Sequence, residues 1–338
     1  MILKIYCILS MLIAALIVIM DPYFHYHKPF GWQKYGWWQE RYINDGILKN
    51  FDYNAIIAGN SMVENFKVSE FNELFGTETV KVPYSGASFE EVGGGILQGL
   101  STGRNVKYVL WCLDYSQFPV LGLNYEEDSY PWYLYDDNIF NDVNYVFNKE
   151  VAYASIYNLY MSIIRAPVGD FDSYAYWGNT AVYGKEVIYK QHQNLSALIL
   201  EQDAVDKTIQ NIDDNVLSVI NGFPDTDFYI YFPPYSIVWW GDLNKGKGIE
   251  QHMEMEQIVI EKLLECPNVH LFSFTDDFDL ICNLDNYKDR VHYSAEINSR
   301  ILEWIVRGEH ELTKDNYEAY LSDIMFFYTT YDYDALFD

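Results

Sequence analysis

Gly59-Asn60-Ser61 closes a short apolar run, residues 53–58, and is followed by Phe66. A strand-to-helix turn at this point would present the Ser61 hydroxyl outward and leave its amide free for an anion. Far along the chain stands Asp289-Arg290-Val291-His292, just before an amphipathic stretch at residues 295–306. A serine nucleophile needs an imidazole to take its proton and a carboxylate to hold that imidazole's tautomer. An Asp three residues before a His can reach its Nδ1 within one loop. A glycine, Gly86, stands in Pro83-Tyr84-Ser85-Gly86-Ala87-Ser88 after a second apolar run. Singly, each residue has a commoner job: Ser61 as a helix N-cap, Gly86 as a turn, His292 as a surface residue ahead of its helix. As a set they read as acyl-transfer chemistry.

Residues so far apart in sequence meet only if the fold brings them to one edge. Apolar runs at 53–58, 79–82, 106–113, 227–232 and 269–274 alternate with helical patterns at 88–100, 203–220 and 249–264. Such alternation predicts a parallel sheet with helices on both faces. The loops after the first and fifth strands then share the carboxyl edge, where open α/β sheets bind ligands. Residues 119–222 are too many for a simple crossover and read as an insertion that caps or borders the site. After Pro233-Pro234 comes Tyr235-Ser236-Ile237-Val238-Trp239-Trp240, expected to be a loop walling the substrate, or equally two indoles packed beneath the insertion. A last helix is expected over 312–328, before an acidic aromatic tail.

These blocks resemble the SGNH/GDSL hydrolase superfamily. Gly59-Asn60-Ser61 with Phe66 is similar to its first block, with Asn60 in place of the usual Asp; Asp289 and His292 match its final D-x-x-H block. The resemblance covers roughly residues 54–118 and 223–308. It implies a three-layer α/β/α sandwich, flavodoxin-like, with a mostly parallel five-stranded sheet in the order 2-1-3-4-5. It also implies Ser61 as nucleophile, His292 as base, Asp289 as its orienter, and an oxyanion hole from the amides of Ser61 and Gly86. The family's third block carries an Asn whose amide donates to the oxyanion, where this chain has Leu113-Asp114-Tyr115. An ionised Asp114 cannot donate, so either it points elsewhere, or Asn60 or another residue supplies the donor, or the site is not hydrolytic. Membrane-anchored relatives that handle acyl groups on envelope polymers, such as DltD-like and alginate O-acetylation proteins, depart from the soluble pattern as well. Asp114, Tyr235, Trp239 and Trp240 are the expected substrate contacts.

Residues 5–20 are uncharged and nearly all aliphatic, about 24 Å of helix. With Met1 to Leu3 added and Lys4 snorkelling, the run reaches roughly the 30 Å of a bilayer core. It lacks small residues at a cleavage site, which predicts an uncleaved anchor over residues 1–22. An aromatic segment, 23–50, with Trp32, Trp37 and Trp38, is expected near the headgroups. Its His25 and His27 read as part of that belt rather than as metal ligands. The α/β body is expected over 51–308 and a helix and tail over 309–338, with the body facing outward. The 338 residues carry 22 basic and 49 acidic side chains, a net charge of −27, which argues against nucleic acid. An aromatic fraction of 18% exceeds what one core needs and suits glycans and interfaces. Cys7, Cys112, Cys266 and Cys282 fit no metal spacing, no phosphate loop or dinucleotide fingerprint is present, and no metal or cofactor is expected. Whether Cys266 and Cys282 pair is open from sequence. The expected function is a membrane-anchored serine esterase or O-acyltransferase acting on an acylated polysaccharide or cell-wall polymer. The rival is a non-catalytic protein of the same fold that binds such a glycan or a membrane-bound acyltransferase.

Overall fold

The structure is a computed structural model that describes residues 2–37, 39–124, 130–136, 138–166, 169–191 and 194–337. Met1 of the expected anchor and Trp38 of the expected headgroup belt lie outside the described residues, as do parts of the insertion. Six strands form one sheet: β1 (Ala55–Gly59), β2 (Thr79–Pro83), β3 (Tyr108–Cys112), β4 (Asp227–Phe232), β5 (Val269–Ser273) and β6 (Glu311–Leu312). Their order is 2-1-3-4-5-6. The first five are parallel and almost wholly buried, which is why they read as unbroken apolar runs rather than alternating ones.

The sixth strand corrects the expected five. Gly308, with φ +68°, ends the helix Ala295–Arg307 in the left-handed region and turns the chain back along the sheet edge. The Ser273 amide then donates to the His310 carbonyl, and Glu311–Leu312 pairs antiparallel with β5. The last helix therefore begins later than expected, as Tyr317–Thr330.

Helices cover both faces. On one, Phe75 of Val68–Phe75 packs edge-on against Tyr229, and Phe66 against Tyr231. On the other, Gly93 and Gly99 of Phe89–Leu100 admit Trp111 and Ile56, and Glu256 of Ile249–Leu264 reaches the Tyr115 and Tyr320 hydroxyls. Two further segments differ from expectation. Residues after Pro234 form a helix, Ile237–Lys245, not a loop, with Ser236 extended at its start. Its Trp240 stacks on Tyr328 at 3.8 Å, and burying both indoles requires a fixed backbone. The aromatic segment 23–50 contributes Tyr23, Phe24 and Tyr35 to the core and contains a helix, Glu40–Asn50, whereas Phe30 and Trp32 stay exposed.

The chain opens with one apolar helix, Ile2–Met20, whose residues from Leu3 on have mean hydropathy 2.5 and are long and apolar enough to cross a membrane. Only its last turns pack on the body, through Ile17 and Met20. All four cysteines are free thiols, so Cys266 and Cys282 are not bridged.

Candidate active site

Ser61 leaves β1 in a short 3-10 turn, Ser61–Val63. The turn needs Gly59: a Cβ there would stand 2.7 Å from Val63 Cγ1 and 3.1 Å from Cys112 Cβ. Asn60 caps it, its Oδ1 accepting from the Met62 amide at 3.1 Å. Lys81, buried under the turn, donates to the carbonyls of Glu64 and Phe66, and Asn298 of the helix Ala295–Arg307 donates to that of Met62. Burial pushes the Lys81 ammonium down to about 7. The Ser61 turn is thus pinned from the sheet below and from a helix beside it.

The second loop folds on itself. The Asp289 Oδ1 accepts from the amides of Val291 at 2.9 Å and His292 at 2.8 Å, and Tyr287 bridges to Tyr293 across its base. Ser236 holds the loop from outside by donating its hydroxyl and amide to the Arg290 carbonyl, while Arg290 pairs with buried Asp242 at 3.0 Å. The two loops meet. Ser61 Oγ lies 2.8 Å from His292 Nε2, and His292 Nδ1 lies 2.8 Å from Asp289 Oδ2. Burial would raise the Asp289 carboxyl, but the hydrogen bonds and charge of His292 and the two loop amides outweigh it and hold it at about 2. A carboxylate there keeps the Nδ1 proton in place and leaves Nε2 free to accept from the serine.

Ser61 and Gly86 line the same cleft, of about 320 Å³, together with Met62, Leu198, Leu200 and Trp239. Gly86 sits at φ +69° and offers its carbonyl to Asn124. Neither the Ser61 nor the Gly86 amide donates to any group among the described residues. Asp114 also lines the cleft, but its carboxylate is taken up by Asn60 Nδ2 at 2.7 Å, by the Ser116 amide and hydroxyl, and by the Tyr235 hydroxyl. It therefore does not contact His292. The Asn60 amide is committed to Asp114, and Tyr235 serves as a partner of Asp114 at the cleft wall. Trp239 faces the cleft, but Trp240 does not: it is the indole stacked on Tyr328.

Several residues at the site carry no sequence motif. Trp177 of the insertion sets its ring edge-on to His292, centroids 5.6 Å apart, and Lys288 lies over its face. The Trp177 and Gly178 amides donate to Asn65, just after the Ser61 turn, which ties the insertion to the site. His252 lines the cleft from below, and burial pushes its imidazole down to about 3. Ser85, next to Gly86, gives its amide to Glu40 at 2.7 Å and its hydroxyl to Glu64, while Arg41 donates to its carbonyl. Nothing in the spacing of Glu40 and Glu64 in sequence signals that they converge on one serine.

Burial, and then the neighbouring Glu40 carboxyl, pushes Glu64 up to about 8. The folded chain then holds a proton that the unfolded chain releases near 4.5, so this pair lowers stability progressively as pH rises from about 4.5 to about 8. Glu64→Gln, which keeps an acceptor for Ser85 but does not ionise, is expected to gain on the parent by at least about 2 °C in Tm between pH 6 and pH 9. Melting both proteins at the two pH values checks this. An unchanged difference contradicts it.

Comparison with protein-family profiles, with characterised proteins and with solved structures returns no match to this chain.

Proposed function

We propose that this chain is a membrane-anchored serine esterase or O-acyltransferase of the SGNH type, acting on acyl esters of a cell-envelope polysaccharide or polymer. The observation that carries the reading is the relay from Ser61 Oγ to His292 Nε2 and from His292 Nδ1 to Asp289, each step 2.8 Å. In the first half-reaction His292 takes the Ser61 proton as Oγ attacks the ester carbonyl. The amides of Ser61 and Gly86, without a partner among the described residues, stabilise the resulting oxyanion. His292 then protonates the leaving alcohol, and the acyl group stays on Ser61. In the second half-reaction His292 deprotonates water, for an esterase, or a sugar hydroxyl, for a transferase; that oxygen attacks the acyl carbonyl, and the bond to Ser61 Oγ breaks as His292 returns the proton to it. The apolar wall of Leu198, Leu200 and Trp239 suits the acyl group and limits water.

With no third donor among the described residues, the rate is lower by about 10²–10³ than at a three-donor site, which leaves a slower enzyme and not an inert one. The binding-only reading would gain from an Asp114 that holds His292 away from Ser61. The bonds of Asp114 to Asn60, Ser116 and Tyr235 favour the enzyme instead. The N-terminal helix is read as the anchor and the body as facing outward, where envelope polymers lie.

A membrane-impermeant fluorophosphonate applied to intact spheroplasts tests both parts. The full-length chain is expected to be labelled without permeabilisation. Labelling only after permeabilisation reverses the topology, and labelling in neither state removes the serine-enzyme reading.

A further inference from the structure

Between Glu150 and Arg165 the insertion carries no charged residue. Most of this stretch lies in the helix Lys149–Ile163, whose outward face is more apolar than a soluble protein's surface usually is. Its polar side chains turn inward: Asn158 accepts from the Gly36 amide at 3.0 Å, Ser162 accepts from the Lys34 amide at 2.8 Å, and Ser155 bonds its own helix. Val151 and Ala154 pack inward beside them, but the larger Tyr153, Ile156, Tyr160 and Ile163, with Ile164 just past the helix end, turn outward, Ile163 being 70% exposed. Just upstream, Ile139, Phe140, Val143 and Phe147 are exposed as well, Phe140 by 83%. Concentrated apolar surface of this kind marks a face that something covers.

The N-terminal helix indicates what covers it. Ile2–Met20 contacts both Lys149–Ile163 and the short helix Val143–Val146 and exposes aliphatic side chains along most of its own length. The apolar surface is therefore continuous from the membrane-length helix onto the insertion. A 15-residue helix is about 22 Å long, too short to span a bilayer core of about 30 Å. Its outward tyrosines suit the headgroup boundary, and Lys149 at one end with Lys34 and Arg165 at the other can reach lipid phosphates.

We propose that residues 139–164 form a second membrane contact, lying in the interfacial layer of the bilayer beside the N-terminal helix. The insertion then does two jobs: its later residues border the catalytic cleft and its earlier ones seat the body on the lipid surface. This inference rests on the anchor part of the proposed function and is independent of the chemistry at Ser61.

The test uses the full-length chain in phosphatidylcholine and phosphatidylglycerol vesicles, with a nitroxide carried on a bioorthogonal side chain at position 156, 9 or 182 in turn. Position 9 reports the N-terminal helix, and position 182, where Val182 is exposed, reports water. The label at 156 is expected to lose accessibility to a water-soluble nickel chelate and gain it to oxygen, as at position 9 and unlike 182. If 9 is in lipid while 156 matches 182, this inference alone fails. A label at 156 shielded from both probes means that a second copy or another protein covers the face, which overturns the lipid assignment. A label at 9 open to the chelate removes the anchor reading and this inference together.

Discussion

Ser61→Ala is expected to abolish fluorophosphonate labelling and to lower turnover of an acetyl ester by about 10³-fold or more, a loss of about 4 kcal/mol of transition-state stabilisation. His292→Ala is expected to do the same, because among the described residues Ser61 Oγ has its proton acceptor only in His292 Nε2 at 2.8 Å. The double variant should be no worse than either single one, since nucleophile and base act as one unit. Single-turnover rates with the three variants check this. Additive losses, or labelling retained in both single variants, would show that Ser61 is not the nucleophile. Tm should change little on Ser61→Ala, because among the described residues the Ser61 hydroxyl bonds only His292, which is itself partly exposed.

The second large effect is expected from Asp289→Asn. An asparagine amide facing Nδ1 as a donor turns the imidazole to the tautomer that carries its proton on Nε2. That nitrogen then cannot accept from Ser61, and kcat is expected to fall by about 10³–10⁴-fold. The same substitution has a signature in stability. The Asp289 carboxyl sits at about 2 in the folded chain against an ordinary 3.8. A depressed folded value contributes stability that is present above about pH 4 and is lost as pH falls through about 2, amounting to about 2 kcal/mol. Asp289→Asn should therefore destabilise the protein at pH 7 and remove part of its acid sensitivity between pH 4 and pH 2. Denaturant unfolding across that range checks the sign, and equal acid sensitivity in both proteins would contradict it.

The parts legible in sequence were those encoded by neighbours. Apolar runs marked the five parallel strands to within a few residues, and the helix Ile249–Leu264 matched its pattern end to end. Asp289 and His292 could be joined on paper because the pair closes within one loop. What failed were segments whose conformation depends on a distant partner. The Trp239-Trp240 stretch is a helix, and its Trp240 stacks on Tyr328, almost ninety residues away, a contact that no local pattern signals. Glu311–Leu312 became a strand because an open edge of β5 lay within reach of the turn at Gly308.

Local order in this chain, then, follows from its own residues: where strands and helices run, that one amino-terminal helix is apolar enough to cross a membrane, and that a serine, an aspartate and a histidine stand at loop positions. Tertiary structure decided which of these groups meet. Only the parallel register of β1 through β5 sets Ser61 against His292 across 231 residues of sequence, frees the amides of Ser61 and Gly86, and turns Asp114 onto Asn60 and Tyr235. Hydrogen bonds and buried charge act over a few ångströms in space and are blind to separation along the chain. Periodicity and spacing therefore report on single elements, and the site exists only once the elements are packed.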